Sequence, residues 1–153
     1  QHYATLSGRP AKFQQEVAPA RAPRKPSTEP SEHQLQQAVI DWWGSIRKLH
    51  GLPKIALFAI PNGQILMASA RYPERVIAYL KSEGFRKGVP DLFLAVPRGG
   101  MHGCFIEMKR PKGPVGEEQT EYHDFLRSLN YRVSVCRSTE TAIDVITSYL
   151  SVK

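Results

Sequence analysis

The stretch Gly88–Lys109, GVPDLFLAVPRGGMHGCFIEMK, puts charged side chains into runs that otherwise read as buried β-strand, and few folds accommodate that. It divides into two apolar strands joined by a glycine-rich turn. Asp91 opens the first strand, and Glu107 and Lys109 close the second. Side chains alternate across a strand, so Phe105, Glu107 and Lys109 share one face and Cys104, Ile106 and Met108 the other. Burying an unpaired charge costs several kcal/mol (about 3–5 when one partner of a buried pair is removed), so these charges need partners. Two arrangements supply them. In one, the carboxylates of Asp91 and Glu107 offer hard oxygen ligands to Mg²⁺ or Mn²⁺ with an ammonium beside them. In the other, the same groups form a structural carboxylate–lysine salt bridge. Strand spacing alone leaves both open.

The rest of the chain limits what can surround this hairpin. At 153 residues it is long enough for one domain with a proper core. No apolar run approaches the ~20 residues of a membrane span, and no segment reads as a signal peptide, so no membrane partner is expected. The net charge of +7 favours an anionic partner, nucleic acid being the most general. Cys104 and Cys136 fall in strand-like runs without metal-ligand spacing and read as core thiols of an intracellular protein.

Residues 1–30 are rich in Pro, Ala, Arg and Lys, which describes an extended basic tail ahead of a folded domain at 31–153. Ser31 reads as the N-cap of a helix from Glu32 to Leu49, with Leu35, Val39, Trp42, Trp43, Ile46 and Leu49 as its apolar stripe. Glu32 and Gln36 fall on that same stripe. Gly51 and Pro53 end the helix, and Lys54–Ile60 follows as a buried strand. A second helix begins at Pro73 and stops at Gly84, with Val76, Ile77 and Leu80 inward. After the hairpin comes a helix over Glu117–Leu129, with Tyr122, Phe125, Leu126 and Leu129 as its apolar positions and Asn130 as its cap. Tyr131–Cys136 is a fourth strand. Ser138 caps a last helix through Leu150, with Ala142, Ile143, Val145 and Ile146 inside. The fold class is therefore α/β, a small mixed sheet flanked by helices.

Several blocks in this order resemble one family. Gly88-Val89-Pro90-Asp91 followed by Ile106-Glu107-Met108-Lys109 resembles the PD…(D/E)xK signature of restriction-endonuclease-like nucleases. IPNG at Ile60–Gly63, GVPDLFL, FIEMKRP at Phe105–Pro111 and Gln119 in the next helix are similar to the VRR-NUC family, over about Glu32–Leu150. The resemblance implies a restriction-endonuclease-like core with the helix at Pro73 as an insertion. It also implies Mg²⁺- or Mn²⁺-dependent hydrolysis of DNA phosphodiesters. Compact members of this kind, of phage and bacterial type, imply a homodimer that cuts branched DNA such as four-way junctions, in the cytoplasm of a bacterial or phage-infected cell. Flap- or end-directed cleavage, weakly selective cleavage and silent DNA binding are the alternatives.

Under that resemblance Asp91 and Glu107 would ligate the metal with the Met108 carbonyl, and Glu32 would hold a water or a second ion. Lys109 would stabilise transition-state charge, and Gln119 would position the lysine or the phosphate. Arg86, Lys87, Arg98, Arg110 and Lys112, together with Arg71 and Asn62, are the expected DNA contacts. No histidine falls in a recognisable catalytic motif. His33, His50, His102 and His123 read as surface or loop residues.

Overall fold

Four short strands form a single mixed sheet in the order β1 (Leu57–Ala59), β2 (Leu92–Leu94), β3 (Cys104–Met108), β4 (Arg132–Cys136). The computed structural model describes residues 29–61 and 73–153. The basic tail through residue 28, Asn62 and Arg71 lie outside the described residues. β1–β2 and β2–β3 are antiparallel, and β3–β4 is parallel. A parallel pair needs a long crossover, which the helix between β3 and β4 provides. The helices are α1 (Glu32–Ile46), α2 (Pro73–Ser82), α3 (Glu117–Ser128) and α4 (Thr139–Leu150). α2 is inserted between β1 and β2.

The β2–β3 hairpin forms where the sequence pattern puts it. At its tip Arg98 and Met101 exchange backbone hydrogen bonds of 3.0 and 2.9 Å. Gly99 (φ 53°) and Gly100 (φ 75°) both take the left-handed conformation, as a type I′ turn requires at its two central residues. One face of β2 and β3 is wholly apolar. Leu92, Leu94, Cys104, Ile106 and Met108 are fully buried there, with Val39 and Trp43 of α1 and Ala142, Ile146 and Tyr149 of α4 in the same core. The two large aromatics satisfy their polar atoms on loop carbonyls: Trp43 Nε1 donates to Lys54 O at 3.1 Å and Tyr149 Oη to Val96 O at 2.7 Å. Capping boxes at Ser31–Gln34 and Ser138–Thr141 start α1 and α4.

The structure departs from the sequence pattern where an element's exposed side depends on its neighbours. α1 ends at Ile46 and continues as a 3₁₀ turn, Arg47–His50, closed by Gly51 at φ 65°. Tightening towards three residues per turn rotates Leu49 off the apolar stripe, and it is 85% exposed. Lys54–Ala56 is likewise a 3₁₀ turn, so the first strand covers only Leu57–Ala59. It lies at the sheet edge, with Ile55 79% and Phe58 44% exposed. In α3, Phe125 and Leu129 face outward while His123 and Leu126 are buried. α4 buries Ala142, Ile146, Tyr149 and Leu150, leaving Ile143 and Val145 half-buried. Both thiols are free and buried; burial pushes Cys104 up to about 12 and Cys136 up to about 11.

Candidate active site

The register Leu92↔Ile106, carried one residue further, sets Asp91 opposite Glu107 on the sheet face away from the apolar core. The sheet itself holds this rung together. Asp91 Oδ2 accepts the Met108 backbone N–H at 2.8 Å, and Asp91 O accepts the Ile60 N–H at 2.8 Å, tying the end of β1 to the same point. A strand residue presents its N–H and C=O to the same neighbour. The Met108 carbonyl therefore leaves β3 on its Asp91 side, while the next amide, Lys109 N, turns to Cys136 O at 2.8 Å on β4.

Glu107 is 2% exposed and stands at the centre of the site. Its Oε1 receives Lys109 Nζ at 3.0 Å and the side-chain amide of Gln119 in a very short hydrogen bond. Gln119 is itself held at the start of α3, its Oε1 accepting the Gly116 N–H at 3.0 Å. Burial, and then the neighbouring Asp91 charge, push the Glu107 carboxyl up to about 7, against the opposing pull of Lys109 and Gln119. Oε2 has no hydrogen-bond partner. The same is true of Nε2 of His123, which lies 3.9 Å away and belongs to a side chain only 2% exposed. The surface reading of His123 is thus corrected, because α3 turns His123 and Leu126 to the sheet along with Gln119. The spacing of Gln119 and His123, one helical turn apart on one face, is the signal that could have found it.

A cleft of about 510 Å³ opens onto this group, lined by Asp91, Glu107, Lys109 and Gln119 together with Glu32, Arg86 and Lys87. Two local features shape it. Gly88 (φ 87°) passes so close under the first turn of α3 that a Cβ there would run into the Glu118 carbonyl, which keeps the loop carrying Arg86 and Lys87 against Gln119. At the other side Glu32, in the first turn of α1, accepts the Arg110 backbone N–H through Oε1 at 3.3 Å. The Arg137 guanidinium, which the sequence reading did not single out, grips the same loop by donating to the carbonyls of Arg110 (3.2 Å) and Gly113. Arg110 and Lys112 are exposed beside the site on this loop. Arg98 is not brought there. It sits at the hairpin tip, at the opposite end of β2 and β3 from Asp91 and Glu107.

Among the described residues no three His, Cys, Asp or Glu side chains form a group that could by themselves hold a metal ion. A hard divalent cation does not need three, since Mg²⁺ commonly takes one or two carboxylates and completes its shell with waters and substrate oxygens. Asp91, Glu107 and the carbonyl edge of Met108 are donors of that type, so the residues present fit such a cation.

The sequence profile of the VRR-NUC domain matches residues 30–140. The chain belongs to the VRR-NUC family. A solved structure described as a VRR_NUC domain protein superposes with a TM-score of 0.65 at 22% identity, covering 82% of this chain and 93% of the other. At that identity the likeness speaks for the fold, an α/β sheet flanked by helices. No curated protein matches the chain. Membership in the VRR-NUC family implies a nuclease-type function with DNA as the partner. Among the described residues no helix is long and apolar enough to cross a membrane.

Proposed function

We propose that this VRR-NUC protein is a divalent-metal-dependent endonuclease that hydrolyses phosphodiesters in branched DNA, with four-way junctions as the preferred substrate and a homodimer as the working form. The observation that carries the reading is the Asp91–Glu107 rung with Lys109 at its edge, opening into a cleft that also holds Arg86 and Lys87. Paired acids repel phosphate, so a surface that only binds DNA has no use for them there. With a cation bound they become useful. Asp91, Glu107 and the Met108 carbonyl would hold Mg²⁺ or Mn²⁺, and Glu32 would hold a water or a second ion. Such an ion supplies Lewis acidity to a phosphoryl oxygen and lowers the pKa of water.

The protein's own groups do the rest. Gln119 fixes the Glu107 carboxylate by spanning from the start of α3 to Oε1. The Lys109 ammonium, held beside Glu107, faces the cleft, where it can balance charge that grows on the scissile phosphate. Arg86 and Lys87 on one side and Arg110 and Lys112 on the other would neutralise flanking phosphates, which orients the duplex arms without reading bases. Two incisions across a four-way junction suit two such sites related by a two-fold axis. The free buried thiols agree with a place in the reducing interior of a cell.

The deciding experiment is cleavage of an immobile four-way junction beside flap, duplex and single-stranded DNA, with Mg²⁺, Mn²⁺ or EDTA. Paired symmetric incisions that require metal are expected. Asp91→Asn and Glu107→Gln should each lower the rate by at least about 10³-fold while junction affinity changes little and the melting temperature does not fall. A large loss of stability in both variants would instead assign the carboxylate–lysine group to structure. Binding without cleavage in either ion would reduce the protein to a DNA-binding module.

A further inference from the structure

His123 is the one buried histidine among the described residues, and the roles assigned above leave it unused. α3 carries it one turn beyond Gln119, on the same face. Gln119 and Lys109 both engage Oε1 of Glu107, which leaves Oε2 with no hydrogen bond. The Nε2 atom of His123 also lacks a partner, and the two atoms face each other at 3.9 Å inside the protein. That separation is too long for a hydrogen bond, yet a turn of the carboxylate or ring of about 1 Å would close it. Buried polar atoms left unpaired are disfavoured, so two such atoms in mutual reach point to a bond completed in the working state. The ring is suited to donate. An imidazole always carries at least one N–H, and Nε2 is the ring nitrogen that meets the carboxylate.

We propose that His123 is a positioning residue, donating Nε2–H to Oε2 of Glu107 so that both carboxylate oxygens are held and the group keeps one orientation towards the cleft. The proposal rests on the reading of Glu107 as a ligand for a divalent cation. It assigns no atom of the histidine to the cation or the DNA. Groups that orient a ligating carboxylate from behind affect ion affinity without touching the ion.

The test uses the full chain with His123→Leu, which removes the donor, and His123→Gln, which restores one. Mn²⁺ affinity is read by titration calorimetry beside the melting temperature, and the imidazole tautomer of the wild type by long-range ¹H–¹⁵N NMR. The expected result is an Nε2–H tautomer in the wild type. Mn²⁺ binding should weaken by about tenfold in His123→Leu, with most of it regained in His123→Gln. Unchanged Mn²⁺ affinity in both variants overturns the proposal, whatever happens to the melting temperature, and so does an Nδ1–H tautomer in the wild type. If the wild type binds Mn²⁺ and cuts DNA while the variants match it, this inference alone fails. If the wild type binds no Mn²⁺, the metal-ligand reading of Glu107 fails and takes this role with it.

Discussion

The two faces of the sheet are built from the same strands and obey different rules. On the face shared with α1 and α4, alternate residues of β2 and β3 are apolar and fully buried, and the polar atoms of Trp43 and Tyr149 find carbonyls. On the face that meets α3, the same alternation delivers Asp91, Phe93, Phe105 and Glu107, and two buried polar atoms stay unpaired. The first face holds the domain together through area removed from water, at roughly 25 cal/mol per Å² of apolar surface. The second gives up some of that stabilisation to hold carboxylates at the edge of a cleft. A site of this kind is tolerable because five consecutive residues of β3 serve both faces, and the apolar side anchors the strand that the charged side bends to its use.

Breaking the first face should have the largest effect. Trp43→Ala removes a side chain that is 1% exposed and leaves the Lys54 carbonyl without its donor. A loss of about 3–5 kcal/mol in urea unfolding is expected. A loss below about 1 kcal/mol would show that the α1–α4 side is not where the stability lies.

The second face should declare itself through pH. Burial pushes the Glu107 carboxyl up to about 7 from its ordinary 4.5, so the folded state keeps its proton longer than the unfolded chain does. Its contribution is complete below pH 4.5 and is lost as pH rises to about 7, on the order of 3 kcal/mol in a chelator. Glu107→Gln should flatten that part of the pH–stability curve, measured as melting temperature in EDTA. An unchanged curve would mean that the carboxylate is solvated and that the two faces differ less in burial.

The smallest expected effect sharpens the contrast. Gly88→Ala places a Cβ against the Glu118 backbone at a left-handed φ of 87°. A stability loss of about 1–3 kcal/mol is expected. Because the strain falls on the turn that carries Gln119, DNA cleavage should drop by more than unfolding predicts. Equal losses in both measurements would separate the Gly88 contact from the site.

Much of this was legible in the chain. The alternation in FIEMK, the acid opening DLFL and the Arg-Gly-Gly-Met turn specify a hairpin with its charges at one end, because side-chain period and turn chemistry are local properties. The capping serines were readable for the same reason. Less readable was which side of an element meets another. Tyr122, Phe125, Leu126 and Leu129 make a plausible helix stripe, yet α3 buries His123 and Leu126 and exposes Phe125 and Leu129. Gln119 bonded to Glu107 turns the helix that way, and that bond joins residues from separate elements. Arg98 shows the same limit, since it is close to Asp91 in sequence but at the other end of an antiparallel pair.

The sequence by itself determined the order of the elements, the β2–β3 hairpin and the acids and lysine at its open end, because side-chain alternation, capping and turn chemistry are local. Only the tertiary structure decided that Gln119 locks Glu107, that Glu32 meets the Arg110 backbone, and that a histidine read as surface lies buried behind the carboxylate. Those contacts join separate elements, and their geometry depends on how helices settle on a sheet once the apolar face has been sealed.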